Sequence, residues 1–350
     1  MRWDLVPRGE VWRKRWGELV RGGRLPAASL WIGPEGVGKT LAAWALARAV
    51  LCEHGDRVVA CEACSSCKAT TQWLHPHLLV AVPLPAEVSW EEGLAQWRAA
   101  LQANPYLTFG GWLRELGLRS SARLSIGVEV VRRLQERLSL ALAASQWRIV
   151  IFWHAETLTR QASNALLKLV EEPPMRTFFL FLSTRLEALP ITLRSRCQVW
   201  RFSPLSPQEL EALAGTAIAP SLLPLAQGSF GRLKEILAEG GPAFLQPVRE
   251  WLRALWTGHA EALLAPLENL AKSPQLSELL LGAVLLVRAH PHLSPFEKAY
   301  SMDLLLQAAD EIEAHIQPPL VLWQTTLALW EAWRGEKLPL LAWLGREVSS

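Results

Sequence analysis

No part of this chain constrains its fold more than the segment Gly33-Pro34-Glu35-Gly36-Val37-Gly38-Lys39-Thr40. The segment has the spacing of a phosphate-binding loop, follows a short apolar run from Ala28 to Ile32, and opens a helical stretch from Lys39 to Cys52. Strand, glycine-rich turn and helix in that order require an α/β domain built on a parallel sheet. In such a turn the glycines let successive backbone N–H groups point inward around phosphate oxygens, and the helix N-terminus adds positive potential. Lys39 is placed to reach the outer phosphates, and Thr40 offers a hydroxyl to magnesium. Gly33, Gly36, Gly38, Lys39 and Thr40 are therefore the candidate nucleotide residues, with ATP or ADP as the ligand class.

The alternation of strand and helix continues downstream. A helix is predicted from Val128 to Ala144, where Val130, Leu134 and Leu138 recur every four residues, and it feeds an apolar strand from Arg148 to Trp153. Gln161 to Glu171 reads as a helix stopped by Pro173 and Pro174, and Thr177 to Leu182 as a central strand buried on both faces. Past Phe202 the pattern changes: Pro204 and Pro207 mark a linker, and helices alone are expected to the end. The stretch from Pro83 to Ser125 is too long for an ordinary connection, so it either folds into helices of its own or forms an extended surface insert.

Cys52, Cys61, Cys64 and Cys67 form a C-x8-C-x2-C-x2-C array that can bring four sulfurs to one tetrahedral ion. Zinc is the expected metal, in a structural role, because four thiolates leave no open position for a reacting water. Free thiols or a redox pair are the competing readings of the same array. Five cysteines in all fit a reducing compartment, and a cytoplasmic location is expected because residues 1–20 have no apolar core of signal-peptide length. The most apolar stretch, Leu279 to Val287, is too short to cross a bilayer and ends at Arg288, so no membrane role is expected.

At 350 residues the chain exceeds one core, and its net charge of +3 is too slight for a basic nucleic-acid coat. Eighteen tryptophans would suit a stacking platform for bases, but their spread over the whole chain favours packing in cores and interfaces.

Hydrolysis of a bound nucleotide needs more than the loop: an acidic residue at the end of a neighbouring strand must hold magnesium beside a water-positioning group. The strand ending at Phe152 is followed instead by Trp153-His154-Ala155-Glu156. Tryptophan cannot ligate magnesium, and Glu156 lies beyond the strand end, which leaves His154 or Glu156 as the only routes to residual ATPase activity.

Four elements in one order resemble the bacterial clamp-loader ATPase family. They are the phosphate loop, the cysteine array just after its helix, Asn164-Ala165-Leu166-Leu167-Lys168 leading to Glu171-Glu172-Pro173-Pro174, and Leu193-Arg194-Ser195-Arg196-Cys197. The resemblance covers roughly residues 10–240 and implies an AAA+ fold: an α/β domain over 1–203 carrying a zinc module (52–67) and the insert (about 83–125), a helical lid over 204–242, and an all-α collar domain for oligomerisation over 243–350. It implies a five-membered hetero-pentameric ring with motor (gamma/tau-type) and delta subunits, acting on a sliding clamp and primed DNA. It also implies that Arg196 is an arginine finger set against ATP held by the neighbouring subunit, the alternative being that Arg194, Arg196 and Arg201 form a basic face. Motor subunits of that family look like Asp-Glu-Ala-Asp where this chain has Trp153 to Glu156, and carry a lid arginine where Gly228-Ser229-Phe230 is followed here by Gly231. These two losses point to its non-hydrolysing, delta-prime-type branch. An ATP-hydrolysing motor subunit, and a free-standing nucleotide-dependent DNA-binding module, remain the alternatives.

Overall fold

The computed structural model describes residues 3, 6–22, 26–118, 122–141, 146–219, 222–238, 240–258, 260–273, 275–314 and 316–334. Helix α1 (Gly9–Arg21) precedes β1 (Ala28–Ile32), and α2 (Lys39–Leu51) follows the glycine turn. Next come α3 (Ser65–Thr71), β2 (Leu78–Ala81), α4 (Trp90–Ala103), α5 (Phe109–Glu115), α6 (Val128–Ser139) and β3 (Arg148–Phe152). Then α7 (Arg160–Glu171), β4 (Thr177–Ser183), α8 (Ile191–Arg194) and β5 (Gln198–Arg201) complete the alternation.

The strands form one parallel sheet in the order β2-β3-β4-β1-β5. Every residue of β1, β2, β3 and β4 is buried, which is why these strands read as unbroken apolar runs. β5 lies at the edge, and of its four residues only Trp200 is buried. With the glycine turn at the end of β1, this is the AAA+-like parallel α/β arrangement expected from the sequence.

The expected helix over 128–144 is shorter. It ends at Ser139, with Leu140 extended, because buried Arg148 of β3 donates to the terminal carbonyls of Leu138 (2.7 Å) and Leu140. Residues 142–144 of that expectation lie outside the described residues. The inward face of α6 is Val131, Leu134 and Leu138, so Val131 takes the place assigned to Val130.

The 83–125 stretch resolves into α4 and α5, and both are pinned by indoles. Trp90 donates to the Val80 carbonyl at 3.0 Å and Trp112 to the Pro83 carbonyl at 2.9 Å, fixing the helices against the end of β2. Trp97 and Trp112 are fully buried, so the tryptophans of this region pack the interior and offer no platform for bases.

After β5 the described chain is helical: α9 (Pro207–Ala214), α10 (Leu223–Ala226), α11 (Phe230–Ala238), α12 (Gln246–Thr257), α13 (Leu264–Ala271), α14 (Leu276–Ala289), α15 (Pro295–Glu313) and α16 (Pro318–Arg334). Two compact units result, one holding the sheet through to Ile218 together with Ala226–Arg232, the other holding Ala219–Leu225 and the chain from Leu233 onward. The second unit has its own core, in which the Trp251 indole of α12 donates to the Thr326 hydroxyl of α16 at 3.1 Å among Leu279, Leu280, Leu305 and Leu329. A capping box of Ser294 and Glu297 with Pro295 in the first turn starts α15. Among the described residues no helix is long and apolar enough to cross a membrane.

Trp112 both fills the core and supplies a buried hydrogen bond. Trp112→Ala is expected to destabilise the first unit by about 3–5 kcal/mol, read as a lowered midpoint in its denaturant transition.

Candidate nucleotide site and cysteine cluster

The phosphate-loop residues converge as the motif requires. Gly36 and Gly38 take positive φ (66° and 99°), and α2 starts at Lys39 directly behind Gly38. The Lys39 ammonium is drawn back into the turn, donating to the carbonyls of Gly33 and Pro34 at 2.6 Å each. Lys39 is buried, and that burial lowers its pKa to about 8 against the opposing charges of Glu156 and Glu35. The cavity over the loop is lined by Gly36, Gly38, Lys39 and Thr40 together with Tyr106, Trp153 and Thr184, and its volume is about 20 Å³. Lys39, tied to carbonyls of its own loop, must turn outward for its ammonium to meet a phosphate.

Trp153 projects from the end of β3, and its indole N–H donates to the Thr40 hydroxyl at 3.1 Å. The hydroxyl that would face magnesium is thus covered by an apolar ring with 2% exposure, and no carboxylate stands at the strand end. His154 follows in the left-handed region (φ 53°) and meets the Glu156 carboxylate at 3.1 Å through Nδ1. The same carboxylate oxygen accepts the Thr184 hydroxyl at 2.7 Å and the Thr184 N–H at 3.3 Å. Burial opposes ionisation of Glu156, but His154 and Thr184 outweigh it and hold the carboxyl well below its usual range. Glu156 is therefore committed to the end of β4. These residues do not fit a magnesium ion.

Two segments meet the loop: the insert, which the sequence did not assign to the site, and the 228–231 segment, which the resemblance had placed there. From the insert, Tyr106 lines the cavity, and the Phe109 N–H donates to the Glu35 carboxylate at 2.9 Å. From the 228–231 segment, the N–H groups of Phe230 and Gly231 both donate to the Gly36 carbonyl at 3.1 and 3.2 Å, and Phe230 meets Tyr106 edge to face. A Cβ on Gly231 would sit 2.4 Å from the Tyr106 carbonyl and 2.9 Å from Gly36 Cα, so close backbone approach explains glycine where an arginine was expected. Arg232, one residue later, lies 4.0 Å from Glu35 and donates to Gln227 at 2.6 Å. No local signal marks the contacts to Glu35 and Gly36, because each joins residues far apart in the chain.

The four array cysteines do come together: the sulfurs of Cys52, Cys61, Cys64 and Cys67 all lie within 4.8 Å of one another. Cys52 is 4.0 Å from Cys64 and Cys61 is 3.9 Å from Cys67, close to the separation of about 3.8 Å in a tetrahedral site with 2.3 Å metal–sulfur bonds. The N–H groups of Cys61, Cys64 and Cys67 point at the sulfurs of Cys52, Cys61 and Cys64 at 3.3–3.4 Å. Backbone N–H groups of Ala63 and Cys64, with His54, pull the Cys61 thiol down to about 5, whereas burial pushes Cys67 up. The donor set fits one structural metal ion.

The family model for the DNA polymerase III, delta subunit matches residues 10–206. The chain belongs to the DNA polymerase III delta subunit family. Within this family, the delta-prime subunit from Bacillus subtilis is 30% identical over 188 residues, covering 54% of this chain and 45% of that protein. The delta-prime subunit from Yersinia pestis is 32% identical over 165 residues, covering 47% and 38% respectively. The tau subunit of Bacillus subtilis is 26% identical over 214 residues, covering 61% and 31%. The chain thus spans less than half the length of each of these relatives.

The part matched by the delta subunit family includes Arg196, which stands apart from the phosphate loop. Strand β5 runs parallel to β1 with Ser29 beside Gln198 and Ile32 beside Arg201. Arg196 precedes β5 whereas the loop follows β1, so the two lie at opposite ends of the sheet, separated by at least the length of the paired strands, about 10 Å. Its guanidinium is part exposed and donates through Nε to Glu171 at 2.6 Å and through Nη1 to the Thr192 carbonyl at 2.7 Å.

One zinc per chain is expected on metal analysis of this delta-family protein. Cys67→Ser, at the most buried ligand, is expected to abolish zinc retention and lower the thermal stability of the first unit. Unchanged metal content in that variant would exclude the four-thiolate site.

Proposed function

We propose that this chain is a delta-prime-type subunit of the DNA polymerase III clamp loader: a ring member that does not hydrolyse ATP and supplies Arg196 to ATP held by the adjacent motor subunit. The observation that carries the reading is the hydrogen bond from Trp153 to Thr40. Phosphoryl transfer depends on a metal ion that neutralises charge between the outer phosphates, held by the loop hydroxyl and a strand-end carboxylate. Here the hydroxyl is engaged by an indole, and Oε1 of Glu156, the acid that follows β3, is bonded to Thr184. A hydrolysing motor would need both groups free. ATP or ADP remains a ligand the loop can take without chemistry, through the backbone of Gly33, Gly36 and Gly38 and the Lys39 ammonium, once Lys39 leaves its carbonyl partners.

The placement of Arg196 supports action in trans. An arginine at the far end of the sheet cannot serve its own loop, and a guanidinium that is always charged suits phosphate oxygens on another chain. The partners in this reading are motor (gamma/tau-type) and delta subunits in a hetero-pentameric ring, the sliding clamp and primed DNA. Residues 204–242 would act as the lid and 243–350 as the collar of that ring.

Purified protein is expected to turn over ATP no faster than its Lys39→Ala variant, and Trp153→Asp alone to restore little. Lys39-dependent steady-state turnover would instead identify a motor subunit. Failure to co-elute with motor subunits on size exclusion would favour a free-standing module.

Arg196→Ala is expected to leave zinc content and ring assembly intact while lowering the DNA-stimulated ATPase of the reconstituted complex. An arginine supplied by a partner is worth about 10³ to 10⁵ in rate at the site it serves. The total should fall only in part, since the other sites keep their own arginines. An assembled variant that hydrolyses ATP and loads clamps at the original rate would remove the finger, and one that only binds DNA less tightly would indicate a basic face.

A further inference from the structure

We infer that Glu171 is the residue that positions Arg196 for catalysis in the neighbouring subunit, an inference that rests on the finger reading above. Arg196 sits in the turn between α8 and β5, where a long side chain with several free torsions would sample many directions. Two anchors restrict it. Glu171, the last residue of α7, accepts from Nε at 2.6 Å and also from Nη2, while the Thr192 carbonyl of α8 accepts from Nη1 at 2.7 Å and Ser195 Oγ lies 3.4 Å from the same nitrogen.

The pattern of donors gives these anchors their meaning. A guanidinium has five N–H groups, and a carboxylate set side-on against the Nε edge uses one hydrogen of Nη2 and leaves the other directed away. With Nη1 turned to the Thr192 carbonyl, the side chain is held along its flank and the second Nη2 hydrogen is the one left to donate. A carboxylate set end-on across both terminal nitrogens would have blocked the tip instead. α7 supplies a firm base for this grip: the Thr159 hydroxyl caps its start, Leu166 and Val170 are buried, and Pro173 and Pro174 prevent the helix from running on past Glu171.

The carboxylate also offsets part of the charge that a phosphate would feel. That loss is small beside the gain from orientation, because a displacement of about 1 Å in a catalytic group costs about 10²-fold in rate. Both side chains are well exposed, so the ion pair adds little to the stability of the fold, and its removal leaves the protein folded.

The test uses the reconstituted clamp-loader complex and reads the Arg196-dependent ATPase, the difference between the original rate and that of Arg196→Ala. Glu171→Ala is expected to lower the kcat of this component about tenfold with the KM for ATP unchanged, since the neighbour binds the nucleotide. Glu171→Gln, which keeps an acceptor for Nε, is expected to fall between the two. In an Arg196→Ala background, Glu171→Ala is expected to change nothing further, because the two residues act as one unit. If Arg196→Ala lowers the rate but Glu171→Ala leaves or raises it, Glu171 has no positioning role and the finger reading stands. If Glu171→Ala lowers the rate equally with and without Arg196, it acts by another route and the inference is lost. If Arg196→Ala itself has no effect, the finger reading fails, and this inference with it.

Discussion

A buried ammonium organises the first unit. Lys39 is almost out of reach of water, and a charge in that position must find oxygen partners or lose its proton. It finds them in the carbonyls of Gly33 and Pro34, which folds the loop back on its own lysine. The loop then presents the Gly36 carbonyl outward, where the N–H groups of Phe230 and Gly231 meet it, and the Glu35 carboxylate, where the Phe109 N–H does. A single charge thereby couples the end of β1, the insert and the start of α11.

The insert completes this arrangement with aromatic rings. Trp44 of α2, Trp73 after α3, Trp97 of α4 and Trp153 at the end of β3 form a continuous series with centroid separations of 6.3, 5.0 and 5.8 Å. Rings of this size bury large areas and resist being rearranged. The indole at the end of β3 is therefore also the end of a packed series of rings reaching back to α2. Trp153 is held from behind by Trp97 and from the front by Thr40, so its position is set by the core and not by one contact alone.

Much of this was legible in the sequence, for identifiable reasons. The strands β1, β3 and β4 show as apolar runs because both faces are covered, and the turn shows because only glycines tolerate its positive φ at Gly36 and Gly38. The cysteine cluster shows because its two C-x2-C steps lie close along the chain. The end of α6 was not legible: Ala141 and the residues after it suit a helix, and the helix stops because Arg148, a tertiary partner, takes its last carbonyls. Strand β5 gave no signal because three of its four residues are exposed at the sheet edge. Nor could Tyr106 or Arg232 be placed near the loop, since no spacing rule relates residues that meet only after the sheet has formed.

The parallel sheet sets the phosphate loop and Arg196 at opposite rims. In a parallel sheet every strand enters at one end and leaves at the other, so residues that follow β1, β3 and β4 gather at one rim and those that precede β5 gather at the opposite one. The loop, Trp153 and Thr184 belong to the first rim, and Arg196 with its Glu171 partner to the second. Packing around Trp153 at the first rim does not involve the anchors of Arg196, because α7, α8 and β5 take no part in the cavity. In the proposed reading, an arginine donated to a neighbour and a phosphate loop covered by a tryptophan therefore belong to separate parts of one fold, and a change at one rim leaves the other intact.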